Sequence, residues 1–235
     1  QEIYQYFENP EDNVVVVNIL KATSAICTAF KNDVSKMIPV PTLDEARKYK
    51  EKGYIVAAER DGSVLDFADF GNSPYNFTRE RVSGKEVAYS TTNGTRAIHM
   101  ARNSQMVIIG SFINLSAVAE LLTKKEKDVI ILCAGWKGKF CLEDTLFAGA
   151  LAEILMNSNQ FQTICDSTKA SIDLWSMAKP DLLSYVEKVA QRDRLRKLGL
   201  DDVIEYCHTP DSAREIPVYR NGKIEAYQKK ANASE

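Results

Sequence analysis

Apolar segments with the character of buried β-strands recur along this chain, and segments with helical spacing separate them. The first, residues 13–20 (NVVVVNIL), is mostly β-branched or aliphatic, which is typical of a strand buried on both faces of a sheet. Further strands are predicted at residues 36–40, 54–58, 86–90, 105–110 and 128–133. Strands that alternate with helices form βαβ units, so the chain is predicted to be an α/β protein with a largely parallel sheet.

The segments between and after these strands complete the predicted organisation. Residues 164–198 are predicted to be helical with a break near Pro180, and residues 216–227 to form a hairpin around Asn221-Gly222. A chain of 235 residues without a low-complexity linker is predicted to be a single domain, residues 1–235. Earlier helices are predicted at residues 25–31, 43–52, 95–101, 115–122 and 143–155.

Composition excludes several functional classes. The formal net charge of −2 argues against a nucleic-acid coat or a membrane-surface binder, because both need an excess of positive charge. The five cysteines have no CxxC spacing and are predicted to be buried thiols in a reducing compartment, not disulfides or a zinc site. No segment has the length of a membrane span or the pattern of a signal peptide, so a cytoplasmic protein with a small-molecule partner is expected. The oligomeric state is left open, with a homo-oligomer as one alternative.

The turn after the fourth predicted strand, residues 88–96 (AYSTTNGTR), is the most distinctive polar motif. Hydroxyl residues and a glycine between a strand and a helix can place backbone N–H groups around a small anion, and an arginine can bind two of its oxygens. The alternatives are a plain hairpin turn at Asn93-Gly94 and a capped helix start that binds nothing. The residues predicted to contact an anion are Thr91, Thr92, Asn93, Gly94, Thr95 and Arg96.

Polar or small residues also follow the other predicted strands. Ligands of open parallel sheets bind at the carboxyl ends of the strands, so these residues are predicted to converge on an oxyanion pocket with room for a hard metal such as Mg²⁺. Two alternatives stay open: acids at the head of a helix can simply complement its dipole, and the loop at residues 61–77 can be an ordinary surface excursion. The residues concerned are Asn18, Lys21, Thr23, Ser24, Glu59, Arg60, Ser111, Gly135, Glu143 and Asp144, with Asp69 in the loop.

Seven segments together carry a family resemblance. They are VVVVNILKATSAICTAF, AERDG, DFGNSPYNF, STTNGTRAI, GSFINLSAVAE, CAGWKGKFCLEDTLFAGAL and RLRKLGLDDVIEYC, in this order. They resemble the 2-phosphosulfolactate phosphatase (ComB-like) family over roughly residues 13–218. The resemblance implies a three-layer α/β/α fold and a Mg²⁺-dependent acid phosphatase that converts 2-phospho-3-sulfolactate to 3-sulfolactate and phosphate, a step on one route to coenzyme M.

The resemblance and the residue chemistry together suggest a role for each candidate. Catalytic roles are predicted for Lys21, Glu59, Arg96 and Glu143, and metal ligation for Asn18, Asp69 and Asp144. The sulfonate and carboxylate of the substrate are predicted to meet Arg60, Lys137 and Arg194. The remaining substrate contacts are predicted from Thr23, Ser24, Thr91, Thr92, Asn93, Gly94, Thr95, Ser111 and Gly135.

Two positions depart from the family pattern and keep rival functions open. Asn18 stands where the family typically has Asp, so it lacks the charge that holds a hard cation, and Lys21 stands where Arg is typical. The segment at residues 190–193 also lacks a Ser and a His that the family pattern leads us to expect. The rivals are an inactive homologue that binds a phosphorylated or sulfonated metabolite and a phosphatase for another small organic phosphate. Nucleotide binding is disfavoured because neither GxGxxG nor GxxxxGK[ST] occurs.

Overall fold

The computed structural model describes residues 4–6, 8–60, 62–197 and 199–228, which form a nine-stranded sheet covered by helices. The strands are β1 (Asn13–Val17), β2 (Lys36–Pro39), β3 (Ile55–Arg60), β4 (Ser63–Val64), β5 (Glu86–Ser90), β6 (Met106–Gly110), β7 (Val129–Cys133), β8 (Pro217–Arg220) and β9 (Lys223–Ala226). The helices are α1 (Ala22–Lys31), α2 (Leu43–Glu51), α3 (Arg79–Val82), α4 (Gly94–Met100), α5 (Leu115–Lys125), α6 (Leu142–Asn157), α7 (Asp166–Ala178), α8 (Leu182–Tyr185), α9 (Ala190–Lys197) and α10 (Asp202–Cys207).

The sheet contains two parallel groups joined by an antiparallel hairpin. The strand order is β4-β3-β5-β2-β9-β8-β6-β1-β7. Strands β2, β3 and β5 are parallel to one another, and so are β1, β6 and β7. The hairpin β8–β9 lies between the groups and pairs antiparallel with β6 on one side and with β2 on the other. The predicted α/β class and three-layer α/β/α arrangement are confirmed.

The C-terminal hairpin is confirmed. Its own residues do not predict that it lies in the middle of the sheet. Asn221 and Gly222 have φ values of 50° and 81°, the positive values that a type I′ hairpin turn needs. Its partners lie far away in sequence, since Ile224 pairs with Met37 and Val218 with Ile108. Turn chemistry predicts a hairpin, whereas long-range pairing decides where the hairpin inserts.

Apolar side chains alternate between the two faces of the sheet. One face, with Val14, Tyr89 and Ile109 among its residues, packs on α1 and α4 in one continuous core. The other face is covered by α5 and α6 over β1 and β6, and by α2 over β3 and β5. Helix α1 is buried from Ala22 to Phe30, which its small Ala, Ser, Thr and Cys side chains permit. This helix is therefore enclosed by the sheet and its neighbours.

A contact across the sheet shows that the sheet bends around α1. Five strands lie between β1 and β3 in the strand order, a path of roughly 30 Å at the usual strand spacing. Yet Lys21, just after β1, has its Nζ 3.1 Å from Oε2 of Glu59 in β3. The carboxyl ends of β1, β3, β5 and β7 therefore meet, although the two parallel groups run in opposite directions along the ladder. The predicted convergence arises from curvature, not from one shared parallel edge.

Two further sequence predictions concern cysteines and membranes. All five cysteines are free, as predicted; Cys27, Cys141 and Cys207 are buried, whereas Cys165 is exposed. None of the helices in the described ranges combines the length and the apolar character that a membrane span requires.

Candidate active site

A polar cavity lies where the carboxyl ends of β1, β3, β5 and β7 meet, next to α9. Residues from six separated segments form its wall, as expected for a ligand site at strand ends. The lining residues are Asn18, Leu20, Lys21, Glu59, Gly62, Asn72, Thr91, Thr92, Asn93, Trp136, Lys137 and Arg194.

A buried ion pair joins the β1 and β3 sides of the cavity. Lys21 Nζ lies 3.2 Å from Oε1 and 3.1 Å from Oε2 of Glu59, and the backbone N–H of Asn72 donates to Oε2 at 3.3 Å. The Lys21 and Glu59 side chains are only 2% and 8% exposed. The peptide bond between Leu20 and Lys21 is cis. Among the described lining residues, Glu59 is the acidic side chain, and its charge is balanced by Lys21.

Asn18 organises the turn between β1 and α1. Its Oδ1 accepts from the backbone N–H of Ala22 at 3.3 Å, and its Nδ2 donates to the carbonyl of Gly135 at 3.4 Å. The Thr23 hydroxyl oxygen accepts from the Asn18 backbone N–H at 3.0 Å. Asn18 thus joins the turn after β1 to the turn after β7, and the Thr23 hydroxyl fixes the Asn18 backbone.

The β5–α4 turn reaches the cavity through Thr91, Thr92 and Asn93. The Thr95 hydroxyl donates to the Thr91 carbonyl at 2.5 Å, and the Thr95 backbone N–H donates to the Thr91 hydroxyl at 3.2 Å. A Cβ at Gly94 would lie 2.6 Å from the Ala22 Cβ, so glycine is what lets this turn approach α1. Thr95 and Gly94 therefore shape the turn, while its first three residues face the cavity.

Residues Trp136 to Lys139 form a tight hairpin, which we call the finger. Its backbone is closed by hydrogen bonds of 3.1 and 3.0 Å between Trp136 and Lys139. Lys137 and Gly138 have φ values of 51° and 74°, the positive values of a type I′ turn. The Lys137 backbone N–H donates to Oδ1 of Asn93 at 3.2 Å, which ties the tip to the β5–α4 turn. The finger therefore holds Trp136 and Lys137 at the cavity.

Arg194 reaches the cavity from α9. Its Nε donates to Oε1 of the buried Gln191 at 2.9 Å, and its guanidinium carbon lies 5.6 Å from the centre of the Trp136 ring. The neighbouring Arg192 and Arg196 instead pair with the carboxylates of Glu187 and Asp201. The Arg196 side chain is about half exposed, the Arg192 side chain is only 13% exposed, and Arg194 lines the cavity.

Several predicted site residues do not line the cavity. Arg96 is exposed on the outer side of α4. Arg60 lies near the cavity, and its guanidinium donates to the Glu59 carbonyl at 2.9 Å and to the Ser90 hydroxyl at 3.4 Å. Asp69 lies near the other end of β3, where it contacts Lys50 Nζ at 2.6 Å and the Val56 N–H at 2.8 Å. Asp69 therefore lies away from the cavity.

Ser24 and Ser111 are also outside the cavity wall. Their hydroxyl oxygens lie 2.8 Å apart, both side chains are fully buried, and Ser24 also donates to the Ile19 carbonyl at 2.8 Å. This pair satisfies polar groups between α1 and the end of β6. The two serines thus stabilise the fold beneath the site.

Glu143 and Asp144 lie in the first turn of α6, behind the cavity wall. Oδ1 of Asp144 accepts from the Ile19 N–H and Oδ2 from the Gly135 N–H, each at 2.9 Å. Glu143 is 2% exposed, and its Oε2 has no hydrogen-bond partner among the described residues. Burial raises the pKa of Glu143, and burial together with the Glu143 charge raises the pKa of Asp144 to about 8. Asp144 therefore links the two turns that carry Asn18 and Gly135.

The three residues predicted as metal ligands are not brought together. Asp69 is distant, Asp144 is engaged by two backbone N–H groups, and the described residues contain no cluster of three His, Cys, Asp or Glu side chains around one point. Mg²⁺ needs only one or two carboxylates and further oxygen ligands. The cavity wall offers these in Glu59 and in Oδ1 of Asn72, a buried atom without a described partner. The donor chemistry thus fits magnesium through a different pair of residues.

Sequence reasoning did not single out four lining residues: Leu20, Gly62, Asn72 and Trp136. Leu20 and Trp136 are apolar, so a search for polar strand ends passes over them. Asn72 lies in the long loop after β3 and reaches the cavity only because that loop folds back onto Glu59. The Gly135-Trp136-Lys137-Gly138 pattern, with glycines on both sides, is the signal that would have indicated a tight turn here.

The fold and the cavity are those of an α/β protein with a cavity suited to a small anionic ligand, since lysine, arginine and threonine side chains from distant segments share it. Comparison with known proteins narrows this class. A family model described as 2-phosphosulpholactate phosphatase matches residues 2–222. The chain belongs to the 2-phosphosulfolactate phosphatase family, and it is a phosphoric monoester hydrolase.

Curated relatives agree with this assignment. A protein of Caldanaerobacter subterraneus subsp. tengcongensis is 36% identical over 222 residues, which cover 93% of this chain and 92% of the relative. A protein of Thermotoga petrophila is 37% identical over 208 residues, covering 88% and 89%, and one of Clostridium acetobutylicum is 35% identical over 213 residues, covering 89% and 90%. Each carries the name "Probable 2-phosphosulfolactate phosphatase".

Proposed function

We propose that this chain hydrolyses 2-phospho-3-sulfolactate to 3-sulfolactate and phosphate, with Mg²⁺ as cofactor. The names of the relatives support this substrate. The observation that carries the proposal is the meeting of Lys21, Thr91, Thr92, Lys137 and Arg194 in one cavity. A cytoplasmic location and a place on a route to coenzyme M belong to the same proposal, and a homo-oligomer stays an expectation.

The polar groups of the cavity suit the two ends of this substrate. Thr91 and Thr92 bring hydroxyl donors to the cavity that Lys21 also lines, which suits a phosphate group. Lys137 and Arg194 lie on the finger and α9 side, which suits the sulfonate and carboxylate end. In this proposal the phosphorus atom lies near Lys21 and Glu59.

Hydrolysis of a phosphate monoester needs little covalent chemistry from the protein, because catalysis comes mainly from positioning and from stabilising the phosphoryl oxygens. Lys21 supplies N–H donors at a fixed position, since Glu59 holds its ammonium group. The Glu59 carboxylate can accept a hydrogen bond from a water molecule and orient it toward phosphorus. Mg²⁺, when bound, supplies further positive charge at the phosphate oxygens, and Glu59 and Asn72 are the residues that would hold it.

The test is phosphate release from 2-phospho-3-sulfolactate by the wild-type chain and by Asn18→Asp, each with Mg²⁺ and with EDTA. We expect turnover that requires Mg²⁺, and an apparent Mg²⁺ activation constant about tenfold lower in Asn18→Asp, because an added carboxylate binds a hard cation more strongly. Binding of 3-sulfolactate without turnover in either form would instead identify a metabolite-binding homologue. Faster turnover of sulfonate-free phosphates would identify a different phosphatase.

A further inference from the structure

Two cationic side chains that reach the cavity from different elements lie close to the Trp136 ring. Lys137 Nζ is 5.1 Å from the centre of the Trp136 ring, and the guanidinium carbon of Arg194 is 5.6 Å from the same centre. All three residues line the cavity. One aromatic ring thus links a cation of the finger with a cation of α9.

An indole ring holds a cation differently from a carboxylate. The ring attracts the cation through its quadrupole, so the side chain is positioned while its positive charge is kept. Lys21, in the same cavity, is held by Glu59, and the negative charge of that carboxylate offsets its own. In the described contacts of Arg194, the partners are the neutral amide oxygen of Gln191 and the Trp136 ring. Arg194, which reaches the Trp136 side of the cavity, therefore keeps its positive charge for a ligand.

The finger is built to hold Trp136 in place. Gly135 has a φ of 66°, and a Cβ there would lie 2.3 Å from the Lys139 carbonyl oxygen, so the base of the finger accepts only glycine. Asp144 binds the Gly135 N–H at the base, and Asn93 binds the Lys137 N–H at the tip. Because base and tip are both fixed, the indole has a defined position relative to α9.

We propose that Trp136 is a specificity-determining positioning residue: its ring holds Lys137 and Arg194 as a paired cationic subsite for the anionic, non-phosphate end of the substrate. This inference rests on the proposed function for the identity of the substrate. The shared chemistry of the group bound is a small oxyanion, and the sulfonate and the carboxylate are the two sources that the test separates.

Steady-state kinetics with three substrates test this role. The substrates are 2-phospho-3-sulfolactate, 2-phospholactate, which lacks the sulfonate, and phenyl phosphate, which lacks both anionic groups. We expect Trp136→Leu to raise KM for 2-phospho-3-sulfolactate about tenfold with kcat within about twofold, and to leave KM for phenyl phosphate unchanged. A rise in KM of the same size for 2-phospholactate assigns the subsite to the carboxylate, and a smaller rise assigns it to the sulfonate. Trp136→Phe keeps an aromatic face and is expected to restore most of the affinity.

Matched lysines of the finger provide the control. Lys137→Ala is expected to raise KM for 2-phospho-3-sulfolactate, whereas Lys139→Ala, which removes an exposed lysine outside the cavity wall, is expected to leave it unchanged. An equal rise in KM for phenyl phosphate, or no change in KM for any of the three substrates, would overturn the inference. A fall in kcat that Trp136→Phe fails to rescue would also overturn it, because a generally distorted site then explains the result.

A binding measurement separates this inference from the proposed function. If the wild-type chain releases no phosphate from 2-phospho-3-sulfolactate, the proposed function fails. Calorimetric titration with 3-sulfolactate and with inorganic phosphate then decides the subsite. We expect Trp136→Leu to weaken the binding of 3-sulfolactate about tenfold and to change the binding of phosphate less than twofold. If 3-sulfolactate does not bind to the wild-type chain, the inference is overturned.

Discussion

At the scale of single residues, Lys21 and Glu59 connect two parts of the chain that are 38 residues apart in sequence. Both side chains are almost fully buried, so neither charge has much access to water. A buried ion pair adds little net stability, but removing one partner leaves the other charge buried and uncompensated. This pair therefore explains why a lysine can lie at the floor of the cavity.

Replacing Lys21 with methionine is expected to lower the free energy of unfolding by about 3 kcal/mol, because the Glu59 carboxylate loses its partner. The double variant Lys21→Met/Glu59→Gln is expected to recover at least half of that loss, since no buried charge remains. Urea denaturation at neutral pH measures both. If the single and double variants lose the same stability, the ion pair is not the cause.

Residue spacing alone predicted part of the cavity wall. Lys21, Thr91 and Thr92 directly follow predicted strands, and the direction of a strand end is largely decided locally. Arg96 and Asp69 also belong to polar sequence motifs, but their direction depends on where α4 begins and on how the loop after β3 folds back. Asn72 and Trp136 acquire their positions from contacts with Glu59 and Arg194, which the sequence does not show as neighbours.

At the scale of elements, the first turn of α6 connects the turns after β1 and β7. Asp144 accepts one backbone N–H from each, at Ile19 and at Gly135. Asn18 and Leu20, the neighbours of Ile19, and Trp136, which follows Gly135, line the cavity. The acidic start of α6 was predicted to serve either the helix dipole or a metal, and the structure shows a further use, which is to join two loops.

Asp144→Asn is expected to lower the free energy of unfolding by about 2–3 kcal/mol and to reduce phosphatase activity. An asparagine places its NH₂ group against one of two buried N–H donors, so one donor loses its acceptor. Glu143→Gln is the matched control in the same turn; we expect a change below about 1 kcal/mol, because Oε2 of Glu143 already has no described partner. Chemical denaturation and phosphate release measure the two effects. Equal destabilisation by both variants would argue against the joining role of Asp144.

At the scale of the whole molecule, the buried acids and a buried histidine make stability depend on pH in opposite directions. Burial raises the pKa of Asp144 to about 8, whereas an unfolded aspartate titrates near 3.9. Below about pH 4 the stability contributed by neutral Asp144 is present in full, and it is lost as the pH rises toward 8. Burial lowers the pKa of His208 to about 4, so its contribution is lost as the pH falls from about 6.5 toward 4.

The Asp144 contribution can be isolated by comparing the wild type with Asp144→Asn, since both carry His208. We expect the stability advantage of the wild type to shrink by up to about 1.4 kcal/mol per pH unit between pH 5 and 8. In this range the folded chain holds a proton on Asp144 that the unfolded chain has lost, so a rise in pH favours unfolding. Urea denaturation across this range gives the slope. A constant difference between the two proteins would show that Asp144 titrates normally in the folded chain.

The sequence by itself determined most of the strands and helices, the α/β class, the C-terminal hairpin and several of the turn residues that face the cavity, because each depends on periodicity or on local turn chemistry. Only the tertiary structure decided that the hairpin joins two opposed parallel groups, and that the sheet bends around α1 until β1 and β3 touch. It also decided that Trp136 and Arg194 share the cavity while Asp69 and Glu143 lie outside it. These features depend on pairing and packing between residues far apart in the chain, where local preference carries no information about the partner.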